Sequence, residues 1–141
     1  MKRILLAAIV LAAASCSATK QEPGLKDAFE GKFTIGAAIN EAQIRQLDTL
    51  GVRTLKKHFN SIVAENCMKH EELHPAEGVW NFELADRFVE FGVENGMEII
   101  GHCLVWHSQT APWYFFDEKG ALVSPEVLKA RMKDHITTIM T

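Results

Sequence analysis

Ile99-Ile100-Gly101-His102-Cys103-Leu104-Val105-Trp106-His107-Ser108-Gln109 begins as an apolar run and ends as a string of imidazoles, an indole and an amide. Its stretch Ile99 to Val105, bracketed by Gly96 and Ser108, reads as a buried strand. Upstream, Phe82, Ala85, Phe88, Val89 and Val93 recur at helical spacing behind Asn81 as cap, and Asn95-Gly96 ends that helix. Downstream, after a loop with Pro112 and Gly120, Ser124-Pro125-Glu126 opens a helix whose apolar positions are Leu128, Met132, Ile136 and Met140. The same order holds earlier. Phe33 to Ala38 and Phe59 to Ala64 are strand-like runs. Between them a helix from about Glu41 is expected, capped by Asn40 with Gln43 in the capping box. Ile44, Leu47 and Leu50 give it one face, and Gly51 ends it. Strand followed by helix, three times over, is the mark of an α/β fold with a parallel sheet and right-handed crossovers.

Bulk composition agrees with a globular protein. The 141 residues are 48% hydrophobic, 23% charged and 9% aromatic, and 15 Lys and Arg against 18 Asp and Glu leave a net charge of −3. Disorder, collagen and coiled coil are excluded on these values. Nucleic acid is not an expected partner, since no basic stripe faces its phosphates. An α/β barrel takes ~250 residues, so the chain is short for one.

The first residues read as an address. Lys2-Arg3 precedes the apolar run Ile4 to Ala14, too short for the ~20 residues of a membrane span but suited to a secretory signal. Ala13-Ala14-Ser15-Cys16 is similar to a lipobox, with Ala13 where Leu or Val is commoner. Residues 1–16 are therefore expected to be a lipoprotein-type signal peptide, and residues 17–25 a polar tether. Cys16 would carry the lipid, which would be the only membrane contact. The expected location is the cell envelope, or outside the cell if the signal is simply removed. Cys67 and Cys103 are expected to be free and buried.

In parallel α/β folds ligands bind where strands end at their carboxyl termini. Two clusters fall there: Glu65-Asn66-Cys67-Met68-Lys69 after the second strand and His102 to Gln109 after the third. A carboxylate, amides, an ammonium, imidazoles and an indole suit a polyhydroxylated ligand, whose vicinal hydroxyls take paired hydrogen bonds while the indole covers a ring face. Taken singly, Glu65 reads as a surface charge as well as a ligand group, Asn66 as a turn residue, and Trp106 as core. A competing pattern is His70-Glu71-Glu72-Leu73-His74, a literal zinc-hydrolase motif. Pro75 stops the helix that would have to present both imidazoles, and Glu72 adds a charge where such helices are apolar, so no metal and no cofactor are expected.

These blocks together resemble the N-terminal part of glycoside hydrolase family 10, the endo-1,4-β-xylanases. The resemblance rests on Phe33 to Ala38, Glu65 to Lys69, Glu77-Gly78-Val79-Trp80-Asn81-Phe82, Ala85-Asp86 and Asn95-Gly96-Met97. It continues through Gly101 to Thr110 with Pro112 and Trp113. It implies a (β/α)8 TIM barrel, of which residues 26–141 would be an incomplete N-terminal portion with about the first three βα units. It further implies retaining hydrolysis of β-1,4-xylosidic bonds, with xylan and xylo-oligosaccharides as partners. Glu65, Asn66 and Lys69 would bind glycone-side hydroxyls, His102 and Trp106 would line the subsite beside the scissile bond, and His107 and Gln109 would support it. Cys67 and Cys103 stand where the family more often has Glu or Thr, and His70 where an aromatic is common. The family's two catalytic carboxylates come from an Asn-Glu pair after the fourth strand and a Glu after the seventh. Past Trp113 the acidic residues are Asp117, Glu118, Glu126 and Asp134, in a loop and on a helix. No catalytic residue is thus expected here, and the chain reads as the inactive leading part of an exported enzyme. A non-catalytic sugar-binding lipoprotein is the alternative, and a zinc hydrolase built on His70, Glu71 and His74 a remote one.

Overall fold

The computed structural model describes residues 22–141. The expected signal peptide, its Cys16 and most of the tether lie outside them. In chain order the elements are α1 (Leu25–Ala28), β1 (Gly36–Ile39), α2 (Glu41–Ile44), α3 (Thr49–His58), β2 (Ser61–Ala64) and α4 (His70–Leu73). They continue with α5 (Glu83–Glu94), β3 (Glu98–Ile100), a 3-10 turn (Pro112–Tyr114) and α6 (Pro125–Met140). The three strands form one parallel sheet in the order β1-β2-β3. This is the expected α/β arrangement, since parallel neighbours need a crossover and each is supplied by helix. Among the described residues no helix is long and apolar enough to cross a membrane.

The core lies between the sheet and its helices. Ile39, Ile62 and Met97 from the strands and their approaches meet Ile44, Val52 and Leu55 from α2 and α3, with Phe88 and Phe91 from α5. Ile62 and Phe88 are fully buried, and Ser61, Ile62 and Ala64 leave β2 almost no exposed surface, as a central parallel strand requires. At Gly92 the helix backbone comes down onto the sheet. A β-carbon there would lie 2.5 Å from Ile99 Cγ1 and 3.1 Å from Ile62 Cδ1. At the amino-terminal end, Gly24 is buried against the Lys57 carbonyl, and the Leu25 N–H donates to His58 Nδ1 at 3.2 Å. The fold thus takes up the chain within the stretch expected to be a tether.

The expected caps at Asn40 and Ser124 are observed. Asn40 accepts from the Ala42 and Gln43 amides while Gln43 reaches back to the Asn40 amide, and Ser124 accepts from the Val127 amide. Other local expectations failed. The single helix expected from Glu41 to Gly51 is two: Gln46 has φ 57° and Asp48 starts α3 by accepting from the Gly51 amide, so Gly51 opens a helix instead of closing one. Leu47 and Leu50 are then exposed. Phe82, not Asn81, occupies the cap of α5, whose buried face is Ala85, Phe88, Phe91 and Gly92, with Val89 and Val93 outside it. On α6 the buried residue is His135, while Met140 is exposed.

The third strand is shorter than the run Ile99 to Val105 suggests. Its pairing stops at Val63↔Ile100, because β2 turns away at Glu65 and no other described strand lies alongside. Residues 101 to 111 therefore leave the sheet as irregular backbone that carries polar side chains outward.

Gly92→Val drives two extra methyl groups into Ile99 and Ile62. A loss of ~1–3 kcal/mol or more in folding free energy is expected. Urea denaturation followed by circular dichroism measures it, and an unchanged midpoint would refute the close approach.

Candidate functional site

Both polar clusters emerge at the carboxyl ends of β2 and β3, side by side. Glu65 leaves β2 with its amide donating to the Ile39 carbonyl at 2.9 Å, and its side chain is exposed. Asn66 to Lys69 form a tight turn closed by the Lys69 amide on the Asn66 carbonyl. That turn aims the Lys69 ammonium back over Asn66, where it donates to Oδ1 at 2.8 Å. It also donates to Gln109 Oε1, and Gln109 Nε2 in turn reaches Asn66 Oδ1 at 3.4 Å. Asn66, Lys69 and Gln109 so form a closed polar triangle across the two loops.

The indole of Trp106 lies beneath this triangle. Lys69 Nζ stands 5.2 Å from its ring centroid, within cation–π range. His102 and His107 flank the same ring, with centroids 5.8 and 5.3 Å away. Gln109 has φ 51°, the left-handed conformation, and its carbonyl accepts from the Glu71 amide at 3.1 Å. The peptide bond between His102 and Cys103 is cis. Six of the seven expected site residues are thus brought into one cluster. Glu65 stands on the same rim without a side-chain partner among the described hydrogen bonds.

Neither remaining cysteine is paired. Burial pushes the Cys67 thiol up to about 11 and also raises that of Cys103, which Lys69 partly offsets. Both shifts favour the protonated thiol. Cys103 is half-buried, where full burial is expected from the sequence.

Behind the rim lies a second cluster that the sequence does not flag as a whole. His70 and His74, one turn apart on α4 and its C-cap, meet His135 of α6, Trp80, Trp113 and Tyr114. Trp113 Nε1 donates to the His74 carbonyl at 3.0 Å. Arg131 clamps the 3-10 turn from outside: its guanidinium donates to the Trp113 carbonyl, lies 5.2 Å over the Trp113 ring and pairs with Glu77 at 2.8 Å. Burial lowers all three imidazoles, His70 to about 4 with its two neighbours contributing, while Asp134 partly offsets the shift at His74 and His135. His135 and Arg131 were missed because their partners come from distant loops. The one available signal was a histidine and an arginine in register with the apolar face of α6.

The model of glycosyl hydrolase family 10 matches residues 24–141. The chain is 46% identical to an endo-1,4-beta-xylanase/feruloyl esterase of Xylanibacter ruminicola, over 99% of this chain and 20% of that protein. It is 43% identical to endo-1,4-beta-xylanase A of the same species, over 86% of this chain and 33% of the relative. Among solved structures, xylanase XynB from Paenibacillus barcinonensis, complexed with a conduramine derivative, superposes with a TM-score of 0.76 at 43% identity. The match covers 86% of this chain and 35% of that one. A mutant structure in complex with xylotriose gives a TM-score of 0.76 at 38% identity, covering 84% and 35%. The chain spans a third or less of the length of these two curated relatives.

Arg131→Ala removes the clamp on the Trp113 turn. A loss of ~1.5–3 kcal/mol is expected, the range for hydrogen bonds to a charged group. Faster proteolysis between Pro112 and Leu122 should accompany it. Wild-type stability and cleavage rate in the variant would show that the turn holds without Arg131.

Proposed function

The chain belongs to glycosyl hydrolase family 10, and from that premise we propose that residues 22–141 form the glycone-side wall of an endo-1,4-β-xylanase cleft. The observation that carries this reading is the Asn66–Lys69–Gln109 triangle above Trp106, at the carboxyl ends of β2 and β3. An amide oxygen shared by two donors leaves the remaining amide and ammonium hydrogens free to reach vicinal hydroxyls. The indole offers a flat face to a pyranose ring, and the imidazoles of His102 and His107 stand tilted against it at 58° and 77°. Glu65, exposed on the same rim, adds an acceptor for a hydroxyl pair. His102 and Trp106 face the subsite next to the bond to be cut, with His107 and Gln109 holding them. Xylan and xylo-oligosaccharides are the ligands, bound through their hydroxyls without a cofactor.

Retaining hydrolysis needs an acid/base and a nucleophile ~5–5.5 Å apart, flanking the glycosidic bond. In the described residues the acidic side chains beyond Trp113 lie elsewhere. Asp117 accepts from the Lys119 and Ala121 amides within its own loop, and Glu126 and Asp134 belong to α6. Glu65 is a binding group, not half of a catalytic pair. The 141-residue chain by itself is therefore a gripping surface without hydrolytic chemistry. Export, with Cys16 as a lipid attachment point, completes the reading and rests on the sequence of the first 16 residues.

Titration calorimetry with xylotriose tests the grip. Binding is expected for the folded chain, and at least about a tenfold loss for Lys69→Ala or Trp106→Ala at unchanged circular dichroism. Wild-type affinity in both variants would remove the triangle from the site. The same preparations incubated with xylan should release no reducing sugar above a blank, and measurable release would overturn the assignment of catalysis to other strands.

A further inference from the structure

We propose that His70, His74 and His135 bind a divalent transition metal such as zinc, in a buried site that joins α4 to α6. The three residues are 5%, 1% and 0% exposed. One ligand nitrogen from each lies within 4.8 Å of the others. Nδ1 of His74 and Nδ1 of His135 face each other at 3.4 Å. That is long for a hydrogen bond between ring nitrogens. It is the separation of two ligands on one tetrahedral ion, since zinc–nitrogen bonds of 2.0–2.1 Å place neighbouring nitrogens about 3.4 Å apart. His70 Nδ1 already accepts from the Ala111 amide, which turns its Nε2 to the cluster as the third ligand.

The polar accounting points the same way. His70 Nε2, the third ligand atom, is buried without a partner. Such an orphaned group costs about 1–3 kcal/mol, which a bond to the metal would relieve. Neutral imidazoles are the ligands of zinc, copper and nickel, and three of them with a fourth position left to water form a recognised open set.

The site differs from the hydrolytic one that His70-Glu71-Glu72-Leu73-His74 suggests on paper. α4 ends at Leu73, one turn after it begins, and Glu71 is exposed with its amide bound to the Gln109 carbonyl. No general base is aimed at the three nitrogens by that motif, and the third ligand comes from a helix 61 residues away. The ion pins α6 to the loop that carries Lys69, instead of cutting a bond.

Metal-free full-length chain, titrated with zinc chloride by calorimetry, should take up one equivalent. Cobalt substituted for zinc should show the intense visible bands of a tetrahedral nitrogen site. His74→Gln and His135→Gln, each confirmed as folded by circular dichroism, should bind at least about tenfold more weakly. A chelator should lower the midpoint of thermal unfolding for the wild type and leave both variants unmoved. His102→Gln with His107→Gln, which alters only the rim, should keep full uptake. The proposal is overturned if the wild type takes up no zinc at micromolar concentration. It is overturned equally if folded His74 and His135 variants match wild-type uptake, or if the rim variant alone abolishes it.

Discussion

At Gly92 a helix backbone rests directly on a sheet, with no side chain of its own between them and Ile62 and Ile99. Everything functional depends on that approach. It sets the height of α5 over β2 and β3. Because they are parallel, both release their chains at the same end. Glu65 to Lys69 and His102 to Gln109 can meet only under that condition. A bulkier residue at position 92 would lift the helix, and the polar triangle on the rim would open before any of its own residues had changed.

The charge of the rim, as well as its shape, supports the proposed neutral, hydroxyl-rich ligand. The ion pairs among the described residues join Arg45, Arg87 and Arg131 to carboxylates on helices and loops, and Lys69 takes part in none of them. Its ammonium is held by two amide oxygens and an indole face instead. These partners take two of its three hydrogens and leave its charge un-neutralised, with one donor free. The surrounding imidazoles and indole contribute area with few competing donors, which is the balance a sugar site requires.

Much of this was legible from residue order. Three strand-like runs separated by helical spacing are enough to specify a parallel sheet, and the (β/α)8 barrel of the family follows from the motifs at their ends. Six of the seven expected site residues converge. What the chain could not disclose is which apolar faces would find cover. Leu47, Leu50, Val89 and Val93 sit at correct helical spacing yet lie exposed, while Gly92, without a side chain, makes a close contact in the core. The short β3 has the same origin: a strand extends only as far as a neighbour accompanies it, and Ile99 to Val105 outruns β2. His135 was illegible for a different reason. Its meaning lies in His70 and His74, brought to it by the folding of the two loops between.

The Lys69–Gln109 contact spans 40 residues, one crossover and no more. Closing a loop of that length costs only slightly more than closing one half as long, since the entropy grows with the logarithm of length. The triangle on the rim therefore belongs to a single βαβ unit. A recognition surface that forms as one cooperative unit also varies as one. A substitution elsewhere in the fold, at Gly92 for one, reaches the ammonium, the amides and the indole together.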